Sequence, residues 1–285
     1  MKRIVVASIA SLLVVGVSAA EPAYDTLIAH RGESKDAPEN TLPAFRMAVD
    51  RGFGFECDIY LSADKKLFTF HDGNLSRTTD GKHNEKCIHA SWADTVSKVN
   101  VGGWGKWKGS KFDPTHPALL EDVLKLARDG RYIYVEVKGN DPSWVPYIKD
   151  VFDKQSNATP KNVLFISFGS DVCAELKRQM PEYRVYWLTG GVSKVVGTGA
   201  DAKTDFYTAE DIIAILKQLG VDGVDIRFRP NVVDAAFIKK IRDAGFMVHV
   251  WTVDNLRAVK LAFSRGAQTV TTNCAKKLLD EYKGE

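Results

Sequence analysis

The sequence predicts an α/β fold of the (β/α)8, or TIM-barrel, class, with a β-hairpin after the second strand and a small inserted subdomain. Short apolar runs rich in β-branched residues alternate with segments of helical spacing along the chain. One pair of runs, residues 53–61 and 67–71, is joined by only five residues. Such a link is too short for a crossover helix, so the pair forms a hairpin. Without the return strand, eight strand–helix units remain, the number in a closed barrel.

The individual elements follow from the same patterns. The predicted strands are residues 27–30, 53–61, 67–71, 132–138, 163–168, 184–188, 221–226, 246–253 and 268–272. The predicted helices are residues 40–52, 119–128, 142–153, 170–179, 208–219, 233–244, 254–264 and 275–282. An open doubly wound sheet is the alternative, but no G-x-G-x-x-G fingerprint follows the first strand. The irregular stretch over residues 73–117 is typical of a lid or an inserted subdomain.

The first 20 residues have the pattern of a secretory signal peptide. A short basic start precedes an apolar run over residues 4–17 and the small residues 18–20. The run is shorter than the roughly 20 residues that a membrane span needs, so we expect cleavage after Ala20 and no stable membrane anchor. We therefore expect residues 21–285 to form one exported domain, periplasmic or secreted.

Charge and cysteine usage narrow the function classes. Removing the two basic residues of the start from the 39 in the chain leaves 37, against 36 acidic residues. Nucleic-acid binders usually carry a basic excess, so a nucleic-acid partner is disfavoured. No C-x-x-C spacing is present, which argues against a zinc knuckle or a thioredoxin-type site. Spacing alone assigns no disulfide among the four cysteines, Cys57, Cys87, Cys173 and Cys274. The sequence also leaves the oligomeric state open.

Polar residues concentrate where the predicted barrel strands end, which is where barrel enzymes hold their active sites. Glu56 and Asp58 lie two residues apart in the second strand, so both project from one face. Glu136 and Lys138 repeat this spacing in the next barrel strand. The return strand of the hairpin would bring His71 to the same rim.

The three carboxylates Glu56, Asp58 and Glu136 would repel one another if all were ionised in one cavity. A divalent cation offsets that charge, and an all-oxygen ligand set favours Mg²⁺ or Ca²⁺ over zinc. Any single carboxylate could instead be a solvated strand end. Arg31 and Lys138 would face an anion such as phosphate, or else pair with a neighbouring carboxylate.

Two histidines at one rim, His30 and His71, would provide a base and an acid with pKa values near the working pH. Trp251 ends a barrel strand and either lines the pocket or fills the top of the barrel. We expect His249 to be a satisfied core residue. We expect surface positions for the three histidines of the insertion, His83, His89 and His116.

These residues resemble the glycerophosphodiester phosphodiesterase family over residues 27 to about 273. The matching motifs are Ala29-His30-Arg31-Gly32, Pro38-Glu39-Asn40-Thr41, Glu56-x-Asp58, His71-Asp72, Leu75-x-Arg77-Thr78-Thr79-x-Gly81, Val135-Glu136-Val137-Lys138, Ser167-Phe168 and Val250-Trp251-Thr252-Val253. The ordered combination is specific, although no single tripeptide is.

The resemblance implies metal-dependent hydrolysis of a small-molecule glycerophosphodiester to sn-glycerol 3-phosphate and an alcohol. It implies one divalent cation at the three carboxylates already named. His30 and His71 would be the acid–base pair. Arg31 and Lys138 would hold the phosphate, and Trp251 would contact the glycerol end.

Two departures from the family pattern concern the rim of the barrel. The last strand ends in Thr272-Asn273, where such enzymes commonly have Thr-Asp, and residues 113–119 only loosely match the usual Ile-Pro-Thr-Leu. On the same site, a lysophospholipase D or a phosphoinositide-type phosphodiesterase is the alternative. A catalytically silent phosphate-ester binder would be expected to lack a histidine or a metal ligand, and here none is missing. An apolar mouth for a lipid could come from three tryptophans of the insertion, Trp92, Trp104 and Trp107.

Overall fold

The computed structural model describes residues 26–196 and 203–284, and the predicted signal peptide lies outside these ranges. The strands are β1 (Leu27–Ala29), β2 (Gly54–Leu61), β3 (Leu67–Thr69), β4 (Ile133–Val137), β5 (Val163–Ser167), β6 (Arg184–Thr189), β7 (Val192–Val196), β8 (Lys203–Phe206), β9 (Gly223–Arg227), β10 (Met247–Trp251) and β11 (Thr269–Thr272). The helices are α1 (Leu42–Asp50), α2 (Leu120–Leu124), α3 (Val145–Asp153), α4 (Ser170–Gln179), α5 (Ala209–Leu219), α6 (Ala235–Asp243), α7 (Leu256–Ser264) and α8 (Ala275–Lys283).

Eight parallel strands close into a barrel, in the order β1, β2, β4, β5, β6, β9, β10 and β11. The ring closes because β1 pairs with both β11 and β2. The predicted TIM barrel is therefore confirmed. The helices of the βα units cover it from outside, and no helix within the described ranges combines the length and apolarity needed to cross a bilayer.

The hairpin that sequence spacing predicts is present. Strand β3 runs antiparallel to the end of β2, with Tyr60 opposite Phe68. Beyond the strand, the Phe70 N–H still donates to the Asp58 carbonyl at 3.0 Å. His71 therefore returns to the rim beside Asp58, as the residue count predicts.

Alternation along β2 explains why acidic side chains enter the barrel. Phe55 and Cys57 are buried on the outward face, and the Phe55 ring stacks on Phe45 of α1 at 4.8 Å between centroids. Burying an aromatic side chain of this kind stabilises the fold by about 1.5–3 kcal/mol. With the apolar residues turned outward, the period of two leaves Glu56 and Asp58 facing the barrel interior.

Helix α1 starts two residues later than the sequence suggests. Asn40 has a φ of +56°, outside the helical region, and Thr41 is the N-cap, its hydroxyl accepting from the Ala44 N–H. Helix α2 ends at Leu124, because the chain continues in i→i+3 turns such as Leu126 N–H to the Val123 carbonyl.

A second β-sheet in the described chain was not predicted. Strands β7 and β8 form a two-stranded antiparallel sheet that follows β6 at the rim of the barrel. This sheet pairs with no barrel strand, so it adds nothing to the strand–helix count from which the fold class was predicted.

The insertion over residues 73–117 has its own apolar cluster, which extends the hairpin rather than the barrel. Its buried members are Phe68, Phe70, Leu75, Cys87, Ala90, Val96, Val99 and Val101. Two histidines of the insertion, His89 and His116, are exposed, and His83 is half-buried. All four cysteines of the chain are buried free thiols.

Candidate active site

The loop after β1 has an uncommon backbone conformation. Arg31 has a φ of +57° and Gly32 a φ of +74°. A Cβ atom at Gly32 would lie 2.6 Å from the carbonyl carbon of Ala44, so only glycine fits there. In this conformation the Arg31 N–H donates to the Glu56 carboxylate at 2.9 Å. The backbone of the loop therefore fixes one of the acidic side chains.

Glu56, Asp58 and Glu136 form a buried acidic centre at the rim. They offer one oxygen each within 4.8 Å of one another. The Lys138 ammonium lies 2.7 Å from Asp58 Oδ1 and 2.5 Å from Glu136 Oε1. Arg31 Nε approaches Asp58 Oδ2 at 3.5 Å. Two cations thus converge mainly on Asp58, the innermost of the three acids.

The charges of this centre are unevenly compensated. Burial alone would raise the pKa of Asp58, but Lys138 and Arg31 outweigh it and hold that pKa well below its usual range. Burial, together with the charge of Asp58, raises the pKa of Glu136 to about 8. Burial and its two acidic neighbours also raise the pKa of Glu56, whose Oε1 accepts no hydrogen bond from the described residues. The three carboxylates are an all-oxygen donor set of the kind that divalent cations prefer.

Asn40 is a site residue that residue-by-residue reasoning missed. Its Nδ2 donates to Asp58 Oδ2 at 2.7 Å, and its Oδ1 accepts from the Asp58 N–H at 3.0 Å. The only signal for it in the sequence is its place in the Pro38–Thr41 motif. Asn40 therefore orients Asp58 through both the side chain and the backbone.

A chain of ion pairs connects the insertion to the rim. Arg77 donates to Asp72 at 2.7 Å and to Glu39 at 2.7 and 2.9 Å, and Asp72 lies 2.6 Å from His71 Nδ1. Glu39 also accepts from Arg31 at 2.8 Å. The insertion thereby holds both a rim histidine and a rim arginine in place.

The pKa values of both rim histidines lie below their usual range. Burial lowers the pKa of His30 to about 4, and burial also lowers the pKa of His71. His30 Nδ1 lies 2.7 Å from Asn273 Oδ1, and its Nε2 is 3.9 Å from Glu56. Asn273 in turn donates to Asp254 at 2.7 Å. A neutral amide therefore connects His30 to a more distant carboxylate.

The site opens into a cavity of about 270 Å³. Trp251 and Phe168 stand at its mouth, with their rings perpendicular and 5.9 Å apart, and Phe168 is 52% exposed. The apolar walls are Ile166 and Leu188. The cavity is therefore lined by all eight predicted site residues except Asp58, which lies buried behind it.

The three tryptophans of the insertion do not line this cavity. Trp92 packs on Phe68 at 6.2 Å, Trp107 is buried, and the Trp104 ring lies 5.4 Å from the Arg77 guanidinium. They stabilise the insertion and its arginine. His249 is fully buried in the barrel, as expected of a core residue.

A closed (β/α)8 barrel with acids, histidines and cations around one cavity at its C-terminal rim has the architecture of a barrel hydrolase. The model of the glycerophosphoryl diester phosphodiesterase family matches residues 30–277, and the chain belongs to that family.

Several relatives and solved structures are similar to the chain. Glycerophosphodiester phosphodiesterase 1 of Mus musculus is 34% identical over 243 residues, which cover 80% of this chain and 71% of that protein. A glycerophosphodiester phosphodiesterase of Caldanaerobacter subterraneus is 29% identical over 163 residues, 56% of this chain and 64% of that protein. A phosphodiesterase of Oleispira antarctica, solved with its product sn-glycerol-3-phosphate, superposes with a TM-score of 0.74 at 22% identity, covering 90% of this chain and 96% of that one. This last similarity shows the shared fold.

Proposed function

We propose that this chain hydrolyses glycerophosphodiesters to sn-glycerol 3-phosphate and an alcohol, with the help of one divalent cation, Mg²⁺ or Ca²⁺. The main support is the cluster of Glu56, Asp58 and Glu136 within 4.8 Å, beside a cavity lined by His30 and His71. Membership of the family supports the substrate class. The product bound in the Oleispira antarctica structure is also one of the two products expected here.

One carboxylate oxygen each from Glu56, Asp58 and Glu136 would hold the cation. When bound, it would supply positive charge to a phosphate oxygen and the glycerol 2-hydroxyl while negative charge develops. The hydrogen bond that Glu56 Oε1 lacks among the described residues supports this assignment, because a bound cation would give that oxygen a partner. Arg31 Nε, which also has no hydrogen-bond partner within the described part of the chain, and the Lys138 ammonium would donate to the phosphate.

His30 and His71 would divide the proton transfers between them. One removes the proton of the nucleophile, the glycerol 2-hydroxyl or a water, as its oxygen bonds to phosphorus. The other donates a proton to the oxygen of the leaving alcohol as the bond between that oxygen and phosphorus breaks. Attack by the 2-hydroxyl gives a cyclic phosphate, which water opens with the roles exchanged. Asp72, 2.6 Å from His71 Nδ1, would fix the orientation of that ring.

The proposal is tested with purified protein and glycerophosphocholine or glycerophosphoethanolamine. Release of glycerol 3-phosphate should stop with a chelator and return with Mg²⁺ or Ca²⁺. His30→Ala and His71→Ala should each lower kcat by about 10²- to 10⁴-fold. His89→Ala, at an exposed position of the insertion, is the matched control and should keep full activity. Turnover near the wild-type level in either rim variant would rule out the two-histidine mechanism.

A lysophospholipase D activity is the second candidate, because Phe168 exposes an apolar ring beside Trp251 at the mouth. An acyl chain leaving the cavity would pass this pair. Turnover of lysophosphatidylcholine or a phosphoinositide in the absence of turnover of glycerophosphocholine would favour the lipid substrates. Phe168→Ala should then affect the lipid more than the water-soluble diester.

We also propose that the chain is exported after cleavage behind Ala20, as the composition of its first 20 residues suggests. Expression of the full chain in a Gram-negative host, followed by fractionation and mass measurement, tests this. Periplasmic or secreted protein that begins at Glu21 is expected. Full-length protein in the cytosol would contradict the proposal.

A further inference from the structure

A buried carboxyl oxygen at the floor of the cavity has no hydrogen-bond partner among the described residues. Asp225 lies in the middle of β9 and is 1% exposed, and its Oδ1 forms no hydrogen bond. His249 Nε2 is 3.7 Å away, too far for one. Both ring nitrogens of that histidine are already paired, with Thr269 at 2.6 Å and Thr271 at 2.8 Å. Unpaired buried polar atoms are rare because they are costly, so this one calls for a ligand.

Asp225 stands on the wall of the barrel opposite the acidic centre. Strand β9 lies four strands from β2 in either direction around the ring. Asp225 is level with Leu188 and His249 in the strand register, whereas Trp251 lies two residues nearer the rim. The Trp251 indole N–H donates to the Asp225 carbonyl at 3.3 Å. The carboxyl therefore lies deep in the cavity, below the aromatic pair at its mouth.

We propose that Asp225 binds the terminal hydroxyl of the glycerol moiety and thereby selects glyceryl over simpler alkyl phosphodiesters. This inference rests on the proposed function. The leaving alcohol varies in size and needs the open mouth beside Phe168, whereas the glycerol moiety is constant and suits the closed floor.

The other polar groups of the substrate would find partners on the opposite wall of the barrel. The phosphate would meet Arg31 and Lys138, and the 2-hydroxyl would lie at the acidic centre. The terminal hydroxyl is then the one polar group without a partner. A carboxyl group serves it in either protonation state, since the ionised form accepts from a hydroxyl and the neutral form can also donate. Burial and the charge of Glu136 raise the pKa of Asp225, which favours the neutral form.

The test compares glycerophosphoethanolamine with its 1,2-propanediol analogue, which lacks only the terminal hydroxyl. The wild-type protein should prefer the glyceryl substrate by about 10- to 100-fold in kcat/KM, the value of a hydrogen bond to a buried carboxyl group. Asp225→Val should bring that ratio close to 1, while turnover of the analogue stays near the wild-type level. Asp243→Asn, an exposed carboxylate on the helix after β9, should keep the wild-type preference.

Each outcome decides a separate point. Equal turnover of both substrates by the wild-type protein overturns the role of Asp225 and leaves the proposed function standing. A folded Asp225→Val protein that keeps the wild-type preference also overturns it. If that variant does not fold, Asp225→Ala replaces it. Alanine also removes the carboxyl group, and it has no branched side chain that could clash in the barrel. Turnover of neither substrate by the wild-type protein refutes the proposed function, and the inference falls with it.

Discussion

Asn40 gives the sharpest test of how the acidic centre is held together. Its side chain is 4% exposed and serves Asp58 twice, at 2.7 Å to the carboxylate and at 3.0 Å from the backbone N–H. Without it, two buried polar groups lose a partner, and each such loss costs about 1–3 kcal/mol. Water can enter part of the vacated space. We therefore expect Asn40→Gly to lower the free energy of unfolding by about 2–4 kcal/mol.

Glycine is the right replacement because Asn40 has a φ of +56°, which alanine would adopt only with strain. Urea unfolding in the presence of EDTA isolates the effect from any bound cation. Asn231→Gly, at an exposed position, measures the cost of an added glycine alone. If the two variants unfold within about 0.5 kcal/mol of each other, the side chain of Asn40 does not support the centre as argued.

Three further perturbations follow from the same contacts. Burial lowers the pKa of His249 to about 3, so its proton binds more tightly in the unfolded chain, and stability is lost as the pH falls below the ordinary value near 6.5. Compared with His249→Gln, the wild-type protein should lose about 2–3 kcal/mol more between about pH 6.5 and 4.5, and parallel urea-unfolding profiles would contradict this. Lys138→Met leaves two buried carboxylates without their shared cation and should lower stability in EDTA by about 3–5 kcal/mol. Added Mg²⁺ or Ca²⁺ should raise its Tm more than that of the wild-type protein, and an equal rise would argue against a cation at this centre. Arg77→Ala should change the free energy of unfolding by under about 1 kcal/mol, because the side chain is 40% exposed, yet lower kcat about tenfold by freeing Asp72 and His71. An unchanged kcat and pH profile would show that this arginine only tethers the insertion.

Much of the fold could be predicted because it depends on local patterns. The count of strand–helix units indicates the barrel, and the five residues between β2 and β3 determine the hairpin. From these, the meeting of Asp58 and His71 follows by counting. Sheet β7–β8 escaped prediction because it pairs only with itself and follows none of the strand–helix alternation.

The residues that were missed depend on contacts that no local pattern contains. Asn40 reads as part of a helix start, and only the folded loop shows it bonded to Asp58, 18 residues away. Asp225 lies in the middle of a largely buried strand, where a carboxylate is unusual. The composition of the strand alone does not say what this carboxylate contacts. Its lack of a partner becomes visible only when β9 and β10 lie side by side.

The position of Lys138 between Asp58 and Glu136 has a consequence for the order of assembly. Its ammonium neutralises part of the acidic cluster from within the chain, at 2.7 and 2.5 Å. Many metal sites form only when the ion draws its ligands together, and their proteins are unfolded without it. Here a covalently attached charge would let the barrel close first. A metal ion would then load into a finished scaffold, and the protein could lose and regain it without unfolding.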